Sequence, residues 1–213
     1  MKNGLSPGAP RDIMSYLLED FYSGKSKAYK HVCELHNDGA TIMIAGAETL
    51  AGALAFLFRY VAADAHVRAK LRAELEPLHG RTMAGEFAGG DLEDGAAPYL
   101  NAVIAETMRI QNPTTNTVLR RTPPEGIVVD GVHIPGGAEV FIPVWTMQRD
   151  ERYFEKPLEF VPERWTTRPE MVKDRRAYLP FVTGRSCPPI PIPQTPKNCY
   201  MFSCMLVSCA QSF

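Results

Sequence analysis

The sequence predicts a mainly α-helical protein with a small antiparallel β-sheet, and three features carry that expectation. Residues 32–62 form the most apolar stretch and read as one long helix, apolar on nearly every side. Two further stretches, opened by Asp64 and by Pro98, repeat apolar residues at helical spacing. Beyond Pro113 the period changes to that of strands, with a tight hairpin at Asp130-Gly131.

In chain order, Ile13, Leu17 and Phe21 stand four apart and predict a short amphipathic helix over residues 11–22. Residues 23–30 are polar and basic, a loop. The long apolar helix fits either a buried core helix or a membrane span, since roughly 20 apolar residues suffice to cross a bilayer. Glu48 favours the buried helix over the span, because a carboxylate near the bilayer centre costs about 3 kcal/mol. Ala45, Glu48 and Thr49 share one helix face, and Ala45, Gly46 and Ala47 are small enough for something bulky to approach the backbone. A carboxylate and a hydroxyl in an apolar helix are costly to desolvate without partners or a task. The plain alternative for Thr49 is a bond back to a helix carbonyl.

Asp64 is placed to cap the next helix, with Val67, Leu71 and Leu75 on its inner side. Residues 79–97 are Gly-rich and acidic, a surface loop. Pro98 opens a third helix that Pro113 ends, and on it Glu106 and Arg109 stand three apart. Exposed, that pair is worth little; buried and joined by a further arginine, it can lock distant segments together. Strands are expected at 118–122, 127–134 (as a hairpin) and 139–144, with a short helix over 147–153. Residues 154–165 are irregular and rich in proline, glutamate and aromatics.

A chain of 213 residues makes one large domain or two small ones, and 45% hydrophobic with 22% charged residues is ordinary for a globular protein. A net charge of −1 gives no field to draw nucleic acid. The five scattered cysteines form no disulfide framework and point to a reducing compartment. Residues 1–10 hold no apolar run, so neither a signal peptide nor an anchor is expected there. In residues 177–189, Cys187 follows an apolar run, Gly184 and Arg185. Arg185 lowers a nearby thiol pKa and suits an anionic ligand. The stretch therefore reads as a thiolate cradle or as a partly buried structural cysteine.

Four stretches in this order resemble the C-terminal half of a cytochrome P-450 haem-thiolate monooxygenase, most like fungal microsomal members, over roughly residues 12–187. They are Ala45-Gly46-Ala47-Glu48-Thr49, Glu106-x-x-Arg109, Phe160-x-Pro162-Glu163-Arg164-Trp165, and Arg185-x-Cys187 behind Phe181. The resemblance implies a partial cytochrome P-450 fold, haem b as cofactor and Cys187 as the axial thiolate that holds its iron. It implies that Glu48 and Thr49 hold oxygen and relay protons, and that Arg185 and Arg121 face haem propionates. It assigns Glu106, Arg109 and Arg164 to a structural triad and puts Ala45, Thr115 and Val118 on the substrate side. The implied partners are an NADPH-dependent reductase and an apolar small-molecule substrate, with no nucleic acid. Members of this type are bound to the endoplasmic-reticulum membrane.

The chain departs from the family pattern Phe-x-x-Gly-x-Arg-x-Cys-x-Gly. Gly184 abuts Arg185, and Pro189 stands where the second glycine belongs. Proline removes an N–H, and backbone N–H groups near a thiolate set its potential. Pro188, Pro189, Pro191, Pro193 and Pro196 forbid a helix after Cys187. Residues 1–187 are therefore expected to form the P-450-like domain, and residues 188–213 a divergent Pro/Cys-rich tail outside the fold. Cys199, Cys204 and Cys209 stand five apart, which does not place them on one helix face for zinc. The expectation is an incomplete, inactive piece of such an enzyme. The alternatives are a non-catalytic fragment that binds no haem, and a membrane-spanning protein built on residues 40–60.

Overall fold

The computed structural model describes residues 13–23, 31–83, 97–113 and 118–181, and divides after Thr49 into two compact units. Cys187, Arg185, Thr115 and the tail lie outside the described residues, as do most of the loops expected over 23–30 and 79–97 and the side chain of Val118.

The first unit holds α1 (Ile13–Tyr22) and the opening turns of α2 (Val32–Ala63). On α1 the side buried most is that of Ser15, while Ile13 is exposed, so the expected apolar face is turned by part of a helical turn. A Cβ on Gly39 of α2 would meet the Met14 sulfur at 3.0 Å, so the two helices cross closely at this glycine. Leu35 is buried here, yet Ile42, Met43 and Ile44 are exposed. By length and composition α2 could cross a membrane, and only 17% of its most apolar window is buried. The expectation of a helix buried along its length is thereby corrected: among the described residues it is buried at Leu35 and Gly39 and again at Leu50, Ala53 and Leu57, and exposed at Ile42, Met43 and Ile44 between them.

The second unit has its core where Leu50, Ala53 and Leu57 of α2 meet Val67 and Leu71 of α3 (Ala65–Met83) and Leu100, Val103, Ile104 and Met108 of α4 (Pro98–Ile110). Asp64 caps α3 as expected, accepting the N–H groups of His66 at 2.8 Å and Val67 at 3.1 Å. The helix runs on to Met83 with Pro77 inside it, past the expected start of a loop at residue 79. Leu75 and Leu78 pack against the core, and that contact overrides the weak propensity of Pro77 and Gly80. Residues 102–110 are all buried, so α4 is the central helix of this unit. Its first N–H groups have no side-chain cap of their own. Instead the Glu74 carboxylate of α3 accepts from Tyr99 and Leu100, both at 2.8 Å.

The β region comprises two separate two-stranded antiparallel sheets rather than one. In the first, β1 (Val118–Arg121) pairs with β4 (Glu139–Ile142), Arg121 opposite Glu139. In the second, β2 (Ile127–Val129) pairs with β3 (Val132–Ile134). Asp130 and Gly131 turn the hairpin with φ of 49° and 79°, the tight turn that Asp-Gly predicts. The hairpin is folded away at a crowded junction, where a Cβ on Gly136 would stand 2.0 Å from the Pro124 carbonyl oxygen.

A short helix, α5 (Val144–Met147), replaces the one expected over 147–153. Asp150 explains the shift: its carboxylate takes the Arg152 N–H at 2.8 Å, a side-chain bond that competes with continuing the helix. Residues 148–181 then run as turns and three 3-10 helices, among them Pro162–Trp165.

Candidate functional site

The best-formed polar site surrounds Glu106 on α4. Glu106, Arg109 and Arg164 are all completely buried. One oxygen of Glu106 accepts from Arg109 Nη2, Arg164 Nε and the Val161 N–H, each at 2.9 Å. The other accepts from Arg109 Nε and the Trp165 indole N–H, also at 2.9 Å. Two guanidiniums against one carboxylate leave a positive excess that burial alone would make costly. Backbone carbonyls take it up. Arg109 donates to Gln148 and Pro157 at 2.7 Å and to Glu159 at 3.2 Å. Arg164 donates to Glu155 at 2.8 Å and Lys156 at 3.2 Å. Burial holds the Arg164 guanidinium below its ordinary pKa; the charge of Glu106 pulls it back up, and that of Arg109 lowers it further. Arg109 also lies over the Phe154 ring, 5.1 Å from its centre.

This node is structural in form. Its charges are fully bonded and remote from solvent, so it holds α4 to residues 155–165 and offers no free group for chemistry.

A second cluster lies beside it. Glu163 accepts from Lys70 at 2.7 Å and from the Tyr99 hydroxyl at 3.1 Å. Burial raises the Glu163 carboxyl, but its bonds to Lys70, its own backbone and Tyr99 outweigh that and leave it below its ordinary value. Burial and the adjacent Glu163 charge push the Tyr99 phenol well above its ordinary range.

The turn of α2 at residues 45–49 is different in kind. Glu48 and Thr49 are exposed, so the desolvation cost expected for them is not incurred among the described residues. Thr49 takes the plain alternative, its hydroxyl donating to the Ala45 carbonyl at 2.7 Å. A Cβ on Gly46 would meet no atom within 4 Å, so a flat, bulky group has room against the backbone of this turn. Arg121 is also exposed and reaches Glu139 at 3.4 Å, a loose pair that a stronger anion could displace. Of the residues singled out in the sequence, the structure brings together Glu106, Arg109 and Arg164. Among the described residues no three His, Cys, Asp or Glu side chains cluster as a metal site.

The family model for Cytochrome P-450 matches residues 1–188. The chain belongs to the cytochrome P-450 family. Among similar proteins, cytochrome P-450 monooxygenase orf5 of Eupenicillium brefeldianum is 38% identical over 173 residues, 81% of this chain and 34% of the relative. Cytochrome P-450 monooxygenase sthD of Phaeosphaeria nodorum is 41% identical over 176 residues, 82% of this chain and 36% of the relative. Tryprostatin B 6-hydroxylase of Aspergillus fumigatus is 39% identical over 173 residues, 81% of this chain and 30% of the relative. The chain thus spans about a third of the length of the curated relatives it matches. Haem is the cofactor of cytochrome P-450 proteins, and a reductase is their usual electron donor. The open turn at Gly46 suits one face of that flat cofactor.

Several P-450 residues that matter in the structure escape a reading of the sequence for function. Gln148 is completely buried, and Trp165 donates to Glu106 although its motif suggests only an aromatic end. Glu74 gives no sign, inside its own helix α3, that it caps another helix. Gln148 stands in a non-periodic stretch beside Arg149 and Asp150, where no spacing signals burial.

Proposed function

We propose that this chain supplies the Glu48, Thr49, Arg121, Arg185 and Cys187 portion of a haem-thiolate monooxygenase. The enzyme would insert one oxygen atom of molecular oxygen into an apolar small molecule, with electrons from an NADPH-dependent reductase. The observation that carries the reading is the extent of the family match, which runs through residue 188 and so takes in both the Glu48-Thr49 turn and Cys187. The relative named tryprostatin B 6-hydroxylase lends the reaction type, a hydroxylation, and nothing about this chain's own substrate. The site of action would be the endoplasmic-reticulum membrane surface, as the family resemblance implies.

A haem held by a thiolate supplies activation of oxygen, because electron donation from sulfur favours O–O cleavage. Cys187 would hold the iron, with Arg185 lowering the thiol pKa so that the thiolate is present at neutral pH. Arg185 and Arg121 would each face a propionate, Arg121 by exchanging its loose contact with Glu139. Gly46 leaves the space against α2. Thr49 commits its proton to the Ala45 carbonyl, so its oxygen presents lone pairs to a proton donor at the oxygen side. Glu48, exposed on the next position, can pass protons from water.

The prolines at 188, 189, 191, 193 and 196 favour a second reading, a non-catalytic chain that binds no haem. One experiment separates the two: the reduced, carbon-monoxide difference spectrum of the protein supplied with haem. The first reading expects a thiolate-type Soret band that Cys187→Ala abolishes and that Cys199→Ala, Cys204→Ala and Cys209→Ala leave intact. No band, or loss of the band on removing a tail cysteine, sinks it.

A further inference from the structure

Three successive residues, Tyr178, Leu179 and Pro180, are each gripped by a different side chain, and all three grips lead back to α4. The Tyr178 ring lies against Trp165, centroids 4.5 Å apart, and Trp165 is bonded to Glu106. The Leu179 N–H donates to the side-chain oxygen of Gln148 at 3.2 Å. The Pro180 carbonyl accepts from the Asn112 side-chain amide at 2.8 Å. Gln148 is itself fixed twice, since its backbone carbonyl accepts from Arg109 at 2.7 Å and its side-chain nitrogen faces the Met108 carbonyl at 3.5 Å. Gln148 is completely buried and Asn112 nearly so. A buried amide is retained at such a place only where its partners are present, because each unmade bond costs free energy comparable to the bond itself. Shape alone would be met by an apolar residue.

We propose that Gln148 and Asn112 are positioning residues, a two-amide clamp on residues 179–180 that sets where the chain departs toward Cys187. The pair ties residues 179–180 to the Glu106 node, one amide holding an N–H and the other a carbonyl, so that the peptide between them has neither free rotation nor free translation. The link to Cys187 rests on the haem-thiolate reading above; the clamp itself does not.

The test compares Gln148→Met, which keeps side-chain volume and removes the acceptor, with Gln148→Glu, which keeps an acceptor oxygen in a cluster rich in guanidinium. In the full chain without haem, Gln148→Met is expected to speed hydrogen exchange at the Leu179 amide on the order of tenfold, the effect of losing about one hydrogen bond. Val103 and Ile104 amides inside α4 should be unchanged, and Gln148→Glu should restore slow exchange. Asn112→Leu serves as the second variant if Gln148→Met does not fold, with the same expectation at Leu179. Unchanged Leu179 exchange in folded variants overturns the clamp. With haem supplied, Gln148→Met is expected to convert part of the thiolate-type carbon-monoxide band to the protonated-thiol type; a band identical to that of the unsubstituted chain overturns the role toward Cys187. If the unsubstituted chain itself shows no Cys187-dependent band, the haem reading fails, and Leu179 exchange still decides the clamp.

Discussion

Glu106 accepts five hydrogen bonds from four residues, and no other side chain could meet the same donors from that position. Removing it strands two buried guanidiniums. Glu106→Ala or Arg164→Ala should therefore lower unfolding free energy by ~3–5 kcal/mol, read by urea denaturation. Arg121→Ala is the contrasting case. Its pair with Glu139 is exposed and loose, so stability should move by less than ~1 kcal/mol, and any loss of haem uptake would report a direct contact. Gly46 separates folding from cofactor binding in the same way. A Cβ there meets nothing, so Gly46→Ala should stabilise α2 by ~0.5–1 kcal/mol, the helix preference of alanine over glycine. Gly46→Leu should keep that gain and yet weaken haem uptake in a Soret titration; undiminished uptake would remove this turn from the site.

The elements of the second unit depend on one another's side chains at their ends. The N-terminus of α4 is capped from α3 by Glu74, which also places a negative charge at the positive end of the helix dipole. Glu74→Ala should cost ~1 kcal/mol, and the loss should show first as faster exchange at the Tyr99 and Leu100 amides. Two of the glycines near the hairpin, Gly131 and Gly136, should differ sharply. Gly131 needs positive φ but has open space, so Gly131→Ala costs roughly 1–2 kcal/mol. Gly136 has backbone in the way, with the Pro124 carbonyl oxygen 2.0 Å from a built Cβ, so Gly136→Ala must shift the junction of the two sheets. Its denaturation midpoint should fall below that of Gly131→Ala, and equal midpoints would contradict the close approach.

For the molecule as a whole, acid sensitivity should pass through Glu163. Its folded pKa lies below the ordinary 4.5, because Lys70 and Tyr99 bonds outweigh burial. A depressed carboxylate contributes stability that is fully present above the unfolded pKa and is lost as pH falls through the folded one. Stability should thus decline on acidification below about pH 4.5, the decline continuing until Glu163 is protonated in the folded chain. Glu163→Gln should flatten that limb while leaving stability near neutral pH lower than in the unsubstituted chain. An unchanged acid limb would show that the Lys70–Glu163–Tyr99 cluster carries none of it.

What the sequence by itself determined about this protein is local. The Asp64 cap, Pro98 at the first turn of α4 and the Asp130-Gly131 hairpin all act over a few residues, so spacing and residue type suffice to read them. The family was legible for the same reason, since each motif is a short run. The pairing of Glu106 with Arg109 was legible as a spacing, but its burial and the reach of Arg164 across 58 positions were not spacings at all. Tertiary structure alone decided that α3 continues past residue 79, that the strands split into two sheets and that Ile42, Met43 and Ile44 of α2 stand exposed while Leu50, Ala53 and Leu57 are buried. It alone placed Glu74 at the end of another helix, 25 positions away, and gave Gln148 its hold on Leu179, 31 positions away. Polar side chains such as these carry no periodic signal, because what fixes them is the backbone group that must not be left unpaired, and only the folded chain brings that group within reach.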